Sequence, residues 1–226
     1  MDFMRLLKSL EELLYELVSW LVFYPLTFWR ALTRPLSMMR YADLELDDQL
    51  DEQYDDTVSP PLFLLITLLL SQALSGAFPV DPSFAQESKL ASSTANLLIA
   101  RGVIFGIFPM AMAVTLLVAR NIRVTRRTLR PPFFSQCYAA APFVFLIGLT
   151  VDFLIMPREQ GLVFGLLALA AAILWYGQAQ IRWFRQDLTI GTGKAIALFV
   201  IAFLMAVICS LAVAIAATYL LPRWNA

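Results

Sequence analysis

Two ionisable side chains, Arg101 and Asp152, interrupt otherwise apolar stretches of this chain, and eight carboxylates crowd into residues 43–56. A charge alone in a bilayer costs about 2.5–3.5 kcal/mol or more, so Arg101 and Asp152 are expected to stabilise one another as an intramembrane ion pair. Two readings stand beside that one. The groups could snorkel to the interface and never meet, or they could belong to a transport relay. A relay needs further polar groups along a path, and Gln72, Asn96 and Gln136 do not form such a ladder.

The acidic stretch holds Asp43, Glu45, Asp47, Asp48, Asp51, Glu52, Asp55 and Asp56, with no basic residue among them. It reads as a solvated linker held away from anionic headgroups, or as a docking patch for a basic partner. In the second reading Asp47, Asp48, Asp51, Glu52, Asp55 and Asp56 are the docking residues. The D-x-[DN]-x-[DN]-G calcium-loop pattern and its glycine are absent. A basic segment, with Arg123, Arg126, Arg127 and Arg130, lies between two of the apolar stretches.

Little else is suited to catalysis. The chain has no histidine, the commonest acid–base residue. It has no Gly-x-Ser-x-Gly, no phosphate-cradling glycine loop and no pair of carboxylates within one apolar stretch. Cys137 and Cys209, each in an apolar stretch, read as packing residues and suggest neither a disulfide nor a zinc site. No enzyme activity, metal or cofactor is expected. Net charge is zero, which offers nucleic acid no general attraction.

The elements that must position these residues are apolar helices. The chain is 60 % hydrophobic, where a soluble domain has about 45–50 %. Five runs approach the roughly 20 residues that cross a bilayer: 61–78, 97–119, 136–156, 162–180 and 195–221. Lysine and arginine sort across them. Alternate segments carry 13 against 3, with Arg101 inside the second run. Basic residues favour the cytoplasmic side, which predicts a cytoplasmic N-terminus, an external C-terminus and an odd number of crossings.

Before the first run, Phe3, Leu6, Leu7, Leu10, Leu13, Leu14, Leu17 and Leu21 fall on one helical face, opposite Lys8, Glu11, Glu12 and Glu16. Residues 3–40 are therefore expected to form helices on the membrane surface, interrupted at Pro25. A short extra span over 13–29 is the rival, opposed by Glu16 and Pro25. Those glutamates also leave no uninterrupted signal-peptide core, so the first run should serve as the insertion signal. Pro131-Pro132 is expected to stop any helix from running straight into the third run. Pro109 and Pro142 should kink their helices. The short 156–161 connection predicts a tight helical hairpin. Gly102-x-x-x-Gly106 and Gly161-x-x-x-Gly165 both permit close helix contact.

Three stretches resemble the bacterial branch of the Yip (Ypt-interacting-protein) membrane proteins. They are Phe23-Tyr-Pro-Leu-Thr-Phe-Trp-Arg-Ala-Leu-Thr-Arg-Pro35, Phe134-Ser-Gln-Cys-Tyr-Ala-Ala-Ala-Pro142 and Gly193-Lys-Ala-Ile-Ala197. The resemblance implies five helices and a cytoplasmic N-terminus. Eukaryotic relatives are implicated in Rab GTPase binding and vesicle traffic, and bacterial ones are often labelled permeases. The expectation is thus an all-α polytopic protein of the bacterial inner membrane. Interfacial helices and the acidic linker occupy 1–59, and five transmembrane helices occupy 60–226. The expected role is a non-enzymatic adaptor or assembly partner for membrane or cytoplasmic proteins or for copies of itself. A small permease of unidentified substrate is the alternative.

Overall fold

The computed structural model describes residues 2–49, 53–79, 94–156 and 159–220. Side chains are described for these except at 2–6, 13, 16, 17, 94–101, 159, 160 and 217–220. The elements are α1 (Asp2–Thr33), α2 (Pro35–Glu45), α3 (Pro60–Ser75), α4 (Thr94–Ala119), α5 (Arg126–Leu154), α6 (Glu159–Asp187) and α7 (Thr192–Leu220). The described residues contain no strand.

The bundle is built around α5, which packs against α1, α2, α3, α4 and α6. Its composition explains that place. Small residues Ala139, Ala140, Ala141 and Gly148 let neighbouring backbones approach, and all four are buried. In all, 61 % of the α5 span is buried, against 22 % of the α7 span. The outer faces of α6 and α7 expose leucine, isoleucine and valine, among them Leu166, Leu167, Leu174, Leu204 and Ile208. An apolar exterior on a filled interior needs lipid around it. Four helices (α4, α5, α6 and α7) are long and apolar enough to cross a bilayer. The chain is accordingly an integral membrane protein.

The first of the five expected spans is shorter than the other four. α3 has 16 residues, so it is about 24 Å long against a core of about 30 Å. Pro60 occupies its first turn, where a missing N–H is harmless, and the chain turns at Gly76. Helix length alone therefore supports four crossings.

Two expectations from proline are corrected. α1 runs unbroken through Pro25. Proline leaves one carbonyl unsatisfied, but Phe23, Tyr24 and Phe28 beside it pack onto the core, and that packing outweighs a local lesion. Nor do Pro131 and Pro132 mark a helix boundary, because both lie inside α5. The helix is nucleated earlier, by a capping box. The Thr125 hydroxyl accepts from the Thr128 N–H at 3.2 Å, and the Thr128 hydroxyl accepts from the Thr125 N–H at 2.9 Å. The carbonyls the prolines cannot bond are those of Arg127 and Thr128, in the first turn, where Arg127 is exposed and Thr128 half-buried.

Helix ends are equally specific. α4 closes with Asn121 in the left-handed region at φ 56°, its N–H donating to Val118 and that of Ile122 to Leu117. This paired pattern satisfies the last carbonyls of a helix. After α6 the same region is held by Thr189, at φ 52°. The expected hairpin is present: α5 and α6 pack along one another across a short connection.

Candidate functional site: a polar platform at the basic end

The end of the bundle that carries Arg120, Arg123, Arg126, Arg127, Arg182 and Arg185 is also where α2 and residues 53–58 fold back onto the helices. α2 begins at Pro35, immediately after α1, and buries Met38, Met39 and Ala42. The apolar spacing 38, 39, 42 is one helical face, and it seats α2 on α5. The polar residues of α2 are thereby brought over the ends of the long helices.

Three of the eight acids are consumed in building this platform. The Arg30 guanidinium donates to Asp56 Oδ2 at 2.9 Å, and the Tyr41 hydroxyl donates to Asp56 Oδ1 at 2.6 Å. Glu45 accepts from the backbone N–H of Tyr54. Asp43 accepts from the hydroxyl of Ser135 on α5. Beneath them, the Tyr138 hydroxyl donates to the Val58 carbonyl at 2.9 Å and lies 3.1 Å from the Thr57 hydroxyl. The Val58 N–H donates to the Thr27 hydroxyl at 3.2 Å. The stretch read as a solvated linker is thus, for Asp43, Glu45 and Asp56, a folded strap. Its backbone at Val58 is satisfied by the hydroxyls of Thr27 on α1 and Tyr138 on α5.

Asp47, Asp48 and Asp55 remain exposed, which is where a docking role would place them. Asp51 and Glu52 lie outside the described residues. Arg123, Arg126, Arg127 and Arg130 are all exposed at the same end, and the Arg130 guanidinium sits 5.2 Å above the Phe134 ring. The platform therefore presents acids and bases side by side.

Further contacts tie the helix ends together. Arg120 pairs with Asp187, and Arg40 donates to the side-chain oxygen of Gln186. One layer deeper, Gln180 of α6 donates to Gln136 of α5, both fully buried. Sequence reasoning noted Gln136 and missed its partner. A signal was present: Tyr176, Gln180 and Trp183 recur at steps of four and three, a helical face with polar atoms that must turn inward.

At the opposite end, Asp152 is 1 % exposed within α5, and Gln72 of α3 is half-buried. α4, which carries Arg101, packs against α5, but the Arg101 side chain lies outside the described residues. Between the two polar layers lies a slab of rings. Phe143 stacks on Tyr176 at 4.4 Å and meets Phe108 at 5.3 Å, and Phe203 lies 5.6 Å from Phe108 and 5.5 Å from Phe199. Cys137 is buried and Cys209 exposed, both as free thiols. The described residues contain no cluster of three or more metal-ligating side chains.

The carboxylates differ in their response to pH. Burial raises the Asp43 carboxyl above its ordinary range, against the opposing hydrogen bond from Ser135. For Asp56, burial also pushes upward, but the hydrogen bonds from Tyr41 and Arg30 and the charge of Arg30 outweigh it, and the carboxyl titrates low. The signs of the linkage are opposite. Asp56 contributes stability above the ordinary carboxylate range and loses it as pH falls through its lowered value. Asp43 favours the folded state when protonated, and that contribution is lost as pH rises through its raised value. Asp43→Asn, which keeps an acceptor for Ser135, is therefore expected to raise the melting temperature at neutral pH. It should also flatten the stability profile just above the ordinary carboxylate range. Thermal unfolding of the variant in detergent across pH 4–8 measures both, and a lower melting temperature at neutral pH contradicts the burial argument.

No family model matches the chain, and no curated protein or solved structure shows significant similarity to it.

Proposed function

We propose that this chain is a non-enzymatic membrane adaptor or assembly partner, whose platform presents Asp47, Asp48 and Asp55 to a basic surface of another protein. In this reading the platform faces the cytoplasm, the N-terminus is inside and the C-terminus outside. α3 then completes five crossings as a short span, and residues 3–21 lie along the membrane surface. The exposure of Leu7, Leu10, Leu14 and Leu21 on α1 supports that surface placement, because a helix with an uncovered leucine face lowers its free energy by lying in the interface. The basic bias of the platform end supports the orientation. The Yip-type likeness of the three stretches named above fits the same architecture.

One observation carries the reading. The strap over residues 53–58 is folded and anchored, yet three of its neighbouring acids are left facing solvent. An anchored acidic surface loses little entropy on binding, unlike a free acidic tail. The rival permease would need a polar route through the bundle. Against it, the Gln136–Gln180 layer and the Asp152 layer are separated by the Phe108–Phe143–Phe203 rings.

Photo-crosslinking residues placed at 47, 48 and 55 in living cells test the proposal, with Leu174 on the outward face of α6 as the control. A discrete protein adduct from the acidic positions, absent from Leu174 and, for the crosslinker at 55, lost on Asp47→Lys with Asp48→Lys, is the expected result. Absence of any such adduct, with saturable solute flux in proteoliposomes, would overturn it in favour of the permease.

A further inference from the structure

α4 and α7 pack against each other but leave a long apolar groove on their outer side. Gly106, Met110 and Val114 line one wall, and Leu198, Ile201 and Met205 line the other, around a volume of about 740 Å³. The groove's one hydroxyl, on Thr115, is spent on the Ala111 carbonyl at 2.8 Å. Nothing in the groove therefore asks for water, and its walls span about 24 Å of helix from Val103 to Ala119.

At the platform end the groove runs into a polar mouth of about 490 Å³, and Ala119, Leu198 and Ile201 line both. The mouth holds Arg120, Lys194 and Asp187. Asp187 is engaged by Arg120. Lys194 has no ion-pair partner among the described residues. It also stands in the first turn of α7, which contains no acid, so the helix dipole disfavours its positive charge there. Two cations and one carboxylate leave a single positive charge beside the open end of an apolar trough.

We propose that this groove and mouth bind a net-anionic glycerophospholipid, with an acyl chain between α4 and α7 and the headgroup phosphate at Lys194. The charge of one phosphodiester matches the surplus at the mouth. It would relieve the cost of holding Lys194 at the helix start. The trough supplies what a soluble anion would not use. The site rests on the chain being embedded in a bilayer and is independent of any protein partner of the acidic platform.

Native mass spectrometry of the full chain in an uncharged detergent tests this, with phosphatidylglycerol, phosphatidylcholine and phosphatidylethanolamine of equal chain length in competition. One lysine near a membrane surface is worth about a fivefold preference for an anionic lipid, and phosphatidylglycerol is expected to be retained over both others by about that factor. Lys194→Glu should abolish the preference and Lys194→Arg should keep it. Gly106→Leu is a second handle: a Cβ at Gly106 meets nothing within 4 Å, so the fold accepts the side chain while the trough is filled. Its melting temperature should be unchanged or slightly raised through helix propensity, and its retention of phosphatidylglycerol should be lost. Equal retention of the three lipids would overturn the proposal. So would a phosphatidylglycerol preference that survives Lys194→Glu, or one that survives Gly106→Leu.

Discussion

Phe143→Ala is expected to destabilise the bundle by about 3–5 kcal/mol, the usual range for deleting a buried phenyl ring. The lower part of that range is expected in lipid, where the cavity and the lost contacts carry the cost and the transfer contribution is small. Phe143 is 1 % exposed on the central helix and touches rings from three others: Tyr176 on α6, Phe108 on α4 and Phe203 on α7. Inside lipid, burial gives little hydrophobic gain, so cohesion depends on contact between closely fitting side chains. An alanine at 143 removes the centre of the ring layer at once, and α5 cannot collapse into the gap without moving its contacts with α3. Thermal unfolding in detergent, followed by tryptophan fluorescence, gives the measurement. Phe143→Leu should lose markedly less. If the alanine variant unfolds within about 0.5 kcal/mol of the native chain, in the range usual for exposed positions, the ring layer does not hold the helices together.

Gly161→Ala is expected to cost about 1–3 kcal/mol by overpacking the α5–α6 hairpin, despite alanine being the better helix former. A Cβ built at Gly161 lies 2.6 Å from the carbonyl oxygen of Phe153. That atom is backbone and cannot turn aside, so the two helices must separate at the end where they are joined. Gly165, one turn on, would press a Cβ to 2.6 Å from the Leu154 side chain. The control is Gly102→Ala on α4, where a new Cβ meets nothing within 4 Å. That change should be neutral or stabilising by up to about 1 kcal/mol through helix propensity. Equal melting shifts for the two substitutions would show that neither Gly-x-x-x-Gly pair marks a close helix contact.

These two glycine pairs show where one-dimensional reading ends. Written out, Gly102-x-x-x-Gly106 and Gly161-x-x-x-Gly165 are the same motif. Spacing states that two small residues share a face, but not which neighbour that face meets. In the structure the second pair seats α6 on α5, while the first lies open beside the groove. The acids divide in the same way. A run of carboxylates without a basic residue reads as solvated. Yet Asp56 finds Arg30 from 26 positions away, and Asp43 finds Ser135 from 92 positions away. Partners so distant leave no local trace.

What the sequence by itself determined is the class of solvent around the protein and the existence of its long helices. Both depend on sums over about twenty consecutive residues, and such sums are local. It also sorted the basic residues to one end, since each count needs only the boundaries of the apolar runs. Tertiary structure decided the rest. It carried α1 through Pro25 and α5 through Pro131 and Pro132, because packing and a cap outweighed single lost hydrogen bonds. It left α3 shorter than its apolar run and joined Gln136 to Gln180. It also set Lys194 at the mouth of a groove whose walls come from helices far apart in the chain. Those outcomes depend on pairs of distant residues, whose energies exist only once the helices are in contact.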